Sequence, residues 1–145
     1  MKKIVLTAGL LAMSFGMAHA DPIADRQALM KDMGKAVGSV AKIAKGEQPF
    51  DAATVKTALE TLATDAQKLD ADKLFPEGTE TGGDTEASPK IWEDRDGFKE
   101  QIAKYQADTA AAVKADPQDL ESFQMAFKSI TANCGACHQT YRVKK

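Results

Sequence analysis

The chain has 145 residues, of which 43% are hydrophobic, 28% charged and only 6% aromatic, with a formal net charge of −2. This length suits one domain, and so few aromatics suit helices better than a β-sandwich. The slight acidic excess excludes the basic stripe of a nucleic-acid binder, and so much charge in so short a chain excludes a polytopic membrane protein.

The first twenty residues read as a secretory signal peptide. Met1-Lys2-Lys3 is a basic start, Ile4 to Met17 is mostly apolar, and Ala18-His19-Ala20 is a small-x-small cleavage site. A membrane anchor needs about 20 apolar residues, and Ser14, Gly16 and His19 interrupt a shorter run. Cleavage after Ala20 leaves residues 21–145 as one domain with net charge −4, since Lys2 and Lys3 leave with the signal. It also leaves one histidine, His138, and three methionines, Met30, Met33 and Met125. The destination is an oxidising compartment, and the expected location is the periplasm.

Four stretches of the mature chain carry helical periodicity. The first opens at Asp21-Pro22, a cap followed by proline at the first helical position. Its stripe reads Ile23, Arg26, Met30, Met33, Val37, Val40, Ala44, and Gly46 and Pro49 end it. The second follows Asp51 and reads Val55, Leu59, Leu62, Ala66, Leu69. A turn-rich segment from Phe75 to Ser88 is the one long loop. Ser88-Pro89 restarts helix, with Ile91, Phe98, Ile102, Tyr105 and Ala112 on its face. Asp116-Pro117 opens the last helix, which reads Leu120, Phe123, Phe127, Ile130, Cys134, Cys137, Tyr141. Residues three and four apart share one helix face, so the pattern predicts an all-α, antiparallel up-down-up-down four-helix bundle.

Cys134-Gly135-Ala136-Cys137-His138 is the C-x-x-C-H pattern of covalent c-type haem attachment. Two thiols three residues apart lie on one helix face and can reach the two vinyl groups along one side of a porphyrin. The next residue places an imidazole nitrogen on the iron. The competing readings explain less. A zinc site needs four ligands, a thioredoxin-like dithiol belongs on a βαβ unit, and a plain disulfide leaves His138 unexplained. The expected cofactor is therefore one haem c, bound through Cys134 and Cys137 with His138 as proximal ligand.

Only seven residues follow His138, and no second histidine remains in the mature chain. Met125 lies on the same helix as His138 and should not reach the opposite haem face. Either Met30 or Met33 supplies a sixth iron ligand from the first helix, or that position is free of protein ligands.

With its secretory signal, four helices and C-terminal C-x-x-C-H, the chain resembles the cytochrome c′ family of class II c-type cytochromes. Arg26-Gln27-Ala28-Leu29-Met30, Gly82-Gly83-Asp84-Thr85, Pro89-Lys90-Ile91-Trp92 and Cys134 through Arg142 carry the likeness over essentially the whole mature chain. The resemblance implies that Arg26 and Gln27 contact the haem and its propionates, with the planar guanidinium pairing to a carboxylate. It places Thr85 and Glu86 at the haem edge, Arg142 near the proximal imidazole, and Met30 over the distal face. It also implies a high-spin haem that binds NO and CO and can pass electrons to an unidentified redox partner. The alternative is a low-spin subgroup, with His138 and Met30 as axial ligands, acting only as an electron carrier. A haem-free structural bundle is a third possibility that the Cys134–His138 motif argues against.

No catalytic constellation is visible, so the chain does not read as an enzyme, and Asp94, Asp96 and Glu100 are spread as on a solvated helix face. The family is frequently homodimeric, and the first two helices are the expected contact. Gly34, Gly38 and Ala41 would permit close approach there, or could face the second helix of the same chain.

Overall fold

The computed structural model describes residues 21–143; the signal peptide read from the sequence lies outside them. Three long helices open on an aspartate whose carboxylate accepts the otherwise orphaned amides of the first turn. In α1 (Pro22–Ala44) Asp21 accepts from Ile23 and Ala24, and in α2 (Ala52–Lys68) Asp51 accepts from Thr54. A short α3 (Ala71–Leu74), capped by Asp70, follows directly. The loop from Phe75 then leads to a four-residue α4 (Lys90–Glu93), to α5 (Arg95–Ala115) and to α6 (Leu120–Tyr141).

The four-helix bundle is present, with two changes of detail. The third predicted helix is broken at Asp94, whose φ of −128° and ψ of 60° interrupt the spiral between α4 and α5. Its carboxylate does not cap α5; it accepts the Tyr141 hydroxyl at 3.1 Å. Gly97 makes room for this bond, because a Cβ there would lie 2.8 Å from both Asp94 carboxylate oxygens and from the Tyr141 hydroxyl. The second change concerns the start of the last helix. Asp119, not Asp116, caps α6, accepting from the Ser122 amide at 2.8 Å. Asp116 instead ends α5 in the left-handed region at φ 43°, which short polar side chains tolerate better than most.

Helices adjacent in the chain pack together, and α6 closes back on α1. The inward face of α1 is Arg26, Leu29, Met33, Ala36, Val40 and Ile43, so the stripe read from the sequence is rotated by part of a turn. Met30, Val37 and Ala44 flank that face, partly buried. On the other helices Leu59, Leu62, Ile102, Phe123 and Ile130 are core as predicted, while Leu120, Phe127, Cys134 and Cys137 of α6 are only partly buried. Each such side chain is worth roughly 1.5–3 kcal/mol when buried.

The antiparallel order gathers the start of α1, the end of α2, α3, the loop, the start of α5 and the end of α6 at one end of the bundle. There Phe75, Phe98 and Tyr141 form an edge-to-face series, with ring centroids 4.9 and 5.0 Å apart.

Candidate haem-binding site

The last turns of α6 carry the three motif residues to that end. Cys134 and Cys137 are half-buried and His138 is more exposed. A cavity of about 460 Å³ is lined by Arg26 and Met30 of α1, Phe75, Ile91, Phe98 and His138, among others. A more apolar hollow of about 210 Å³ adjoins it, walled by Met30, Met33, Gly34, Tyr105 and Cys134. Cys137, His138 and Met30 front both spaces. The larger cavity falls in the range of about 300–1,000 Å³ common for cofactor sites.

Burial sets the protonation of the motif. Desolvation raises the Cys134 thiol, and it pushes Cys137 up to about 11, with the neighbouring Cys134 adding to the rise. Both sulfurs are therefore held as thiols near neutrality. The His138 imidazole is shifted down, first by lost solvation against the cavity wall and then by the positive charge of Arg142, with Glu86 opposing. It is thus kept neutral, the form that can bind a metal.

The three methionines separate cleanly. Met125 is 66% exposed on the outside of α6. Met33 is buried, and its sulfur accepts the Tyr105 hydroxyl at 3.3 Å. Burial, reinforced by Cys134 and Asp65, raises the Tyr105 hydroxyl and keeps it a donor. Met30 lines both spaces that His138 fronts, whereas Met33 lines only the smaller one.

Arg26 does more than the resemblance implies. It is 4% exposed, and its guanidinium lies 5.0 Å over the Phe75 ring. Nη1 donates to the Leu74 carbonyl and the Thr79 hydroxyl, both at 3.0 Å. Nη2 donates to the Thr79 carbonyl at 2.7 Å and the Thr85 hydroxyl at 2.6 Å. The four terminal N–H groups thus latch the loop onto α1, leaving Nε as the remaining donor. Desolvation lowers its pKa, with Asp21 and Glu80 opposing at a distance, yet among the described residues it forms no ion pair.

Gln27, Thr85 and Glu86 also line the cavity, with their polar groups engaged within the protein. Gln27 Nε2 donates to the Asp84 carbonyl at 3.0 Å. The Thr85 hydroxyl accepts from Arg26 and, at 3.3 Å, from the Ala87 amide. Glu86 accepts from Arg142 Nε at 2.5 Å. The sequence reading missed Thr79, which carries no periodic signal. It also missed Lys31 and Tyr141 as lining residues.

This donor set fits haem c. Two thiols and an imidazole from one helix front a largely apolar space, and a buried cation with no counter-ion among the described residues lies in its wall. A buried unpaired charge is unfavourable, and a cofactor carboxylate reaching that wall would balance it. Cys134 and Cys137 would hold the group and His138 would face its iron, supplying a one-electron redox centre when bound.

Helix bundle and motif together define a c-type cytochrome of the bundle class. The model of the family described as Cytochrome C′ matches residues 21–142, and the chain belongs to that family. Cytochrome c-556 of Agrobacterium tumefaciens (strain B2A) is 44% identical over 126 residues, spanning 87% of this chain and all of the relative. Cytochrome c′ of Rhodopseudomonas palustris is 41% identical over 145 residues, 99% of this chain and 97% of the relative. Its solved structure superposes with a TM-score of 0.80, covering 88% of this chain and 99% of that one. A cytochrome c′ described as having an unusual ligand-controlled dimer dissociation matches at 25% identity with a TM-score of 0.78, over 88% of this chain and all of that one.

Proposed function

We propose that the chain carries one haem c, attached through Cys134 and Cys137, and works as a one-electron carrier with His138 and Met30 on opposite sides of the iron. What carries this reading is the methionine geometry: the Met30 side chain shares both spaces with His138, while the Met33 sulfur is taken by Tyr105 and Met125 points to solvent. Thioether ligation raises a haem potential, which suits a carrier. The emphasis therefore moves from the high-spin state expected from the resemblance to its low-spin alternative.

The high-spin reading keeps one specific support. Met30 packs, partly buried, against the apolar core, as a methionine that merely fills a gap would. The iron would then be five-coordinate and would take NO or CO. The visible spectrum of the ferrous protein, recorded before and after CO, separates the two. Sharp α and β bands indifferent to CO support the carrier. A broad spectrum that shifts with CO supports gas binding.

Periplasmic residence follows from the signal peptide, and cell fractionation tests it. A homodimer is proposed through the groove of about 710 Å³ between α1 and α2, whose walls include Ala36, Ser39, Ala53, Thr57 and Ala58. The dimer described for the relative above lends support. Gly34 and Gly38 play no part in close approach to α2, since a Cβ at either would meet nothing within 4 Å; Gly34 lines the hollow beside Cys134. Gel filtration tests the assembly.

A further inference from the structure

The residues after α6 are clasped to the loop before α4. Ala87 and Arg142 form an antiparallel bridge. The Ser88 amide donates to the Tyr141 carbonyl at 3.0 Å, and the Val143 amide to the Glu86 carbonyl at 2.9 Å. Backbone bonds thus fix Glu86 beside Arg142. Its side chain then takes Arg142 Nε at 2.5 Å, and Nη2 pairs with the same carboxylate oxygen. Both side chains and His138 line one cavity wall.

As a stabilising device this pair is weak, because both side chains keep substantial exposure and exposed ion pairs contribute little. Its placement matters more. A fixed cation beside a one-electron centre favours the reduced state and an anion favours the oxidised state, and groups around a haem ligand tune its potential.

We propose that Glu86 is a positioning residue: it anchors and offsets the Arg142 guanidinium beside His138, so that the pair, rather than the arginine alone, sets the potential of the bound haem. This rests on the haem c reading above. Because the backbone clasp does not use the Glu86 side chain, Glu86→Gln should leave the fold intact.

The test is the midpoint potential of the full-length haem-loaded protein and of Glu86→Gln, Arg142→Gln and the double variant, with electrons from an external mediator at low ionic strength. Glu86→Gln should raise the midpoint and Arg142→Gln should lower it. The decisive result is that Glu86→Gln raises the midpoint more in the Arg142→Gln background, where it only removes an anion, than in the wild type, where it also frees a guanidinium from beside His138; such non-additivity is how coupled groups are recognised. Glu86→Asp, which keeps the charge, should restore part of the wild-type value, and added salt should shrink every shift. Equal Glu86→Gln shifts in the two backgrounds, or no shift at all, would overturn the role of Glu86 while leaving the haem reading intact. A wild-type chain that takes up no haem would overturn both.

Discussion

The two ends of this bundle are built differently. At the end away from the motif, Val40, Ile43, Val55, Leu59 and Phe123 close a core by apolar periodicity, and the main polar crossing is Gln124 donating to the Ala44 carbonyl at 2.8 Å. At the motif end, helices are short or broken, and long-range polar bonds hold them. Arg26 reaches the loop, Tyr141 reaches Asp94, Arg95 reaches the Ala71 carbonyl at 2.7 Å, and Arg142 reaches Glu86. A regular core gives rigidity; irregular, polar-tied elements leave a space lined by the motif residues. The difference assigns stability chiefly to one end and chemistry to the other.

Substitutions can break or sharpen that division. The largest expected effect is chemical: replacing both Cys134 and Cys137 with serine should abolish covalent haem, seen as loss of haem stain after denaturing electrophoresis, while helicity by circular dichroism persists. Next, Phe123→Ala should destabilise by about 3–5 kcal/mol, measured by denaturant midpoint, with the haem spectrum unchanged. A changed spectrum would show that the ends are coupled.

Arg26→Gln should cost less, about 1–3 kcal/mol for the carbonyls it leaves unpaired, but should speed amide exchange selectively across residues 75–88. Gly97→Ala tests the Asp94–Tyr141 tie. By helix propensity alone alanine stabilises by roughly 1 kcal/mol, whereas the 2.8 Å contacts predict a net loss.

The smallest effect is electrostatic. Asp119 and Asp51 are held below the ordinary aspartate range by hydrogen bonds from Ser122 and Thr54 respectively. Carboxylates with lowered folded pKa values stabilise fully above the unfolded value and lose that contribution as pH falls through the folded one. Denaturant midpoints should therefore fall below about pH 4, and Asp119→Asn should flatten that dependence.

The same division governs what the sequence could reveal. At the regular end burial repeats every three to four residues, so Val55, Leu59, Phe123 and Ile130 were readable as core. Cys134, Cys137 and His138 were readable because a covalent attachment demands a fixed local spacing. The latch was not. Arg26 on an apolar stripe signalled an unusual residue, but its partner Thr79 is 53 positions away in a loop without period. The α1 stripe was misread by part of a turn because Met30 and Val37, apolar but only half-buried, pack at the edge of the core and line the hollow. Asp116 and Asp119 are equally good caps by residue type; the left-handed turn at Asp116 gave the role to Asp119.

The most direct test of the account is the ferrous spectrum of Met30→Leu beside that of the wild type, each with and without CO. The account predicts that the wild type keeps sharp bands under CO, while the leucine variant turns broad and shifts when CO is added. A wild type that already shifts with CO, or a variant whose bands stay sharp, would contradict the placement of Met30 opposite His138.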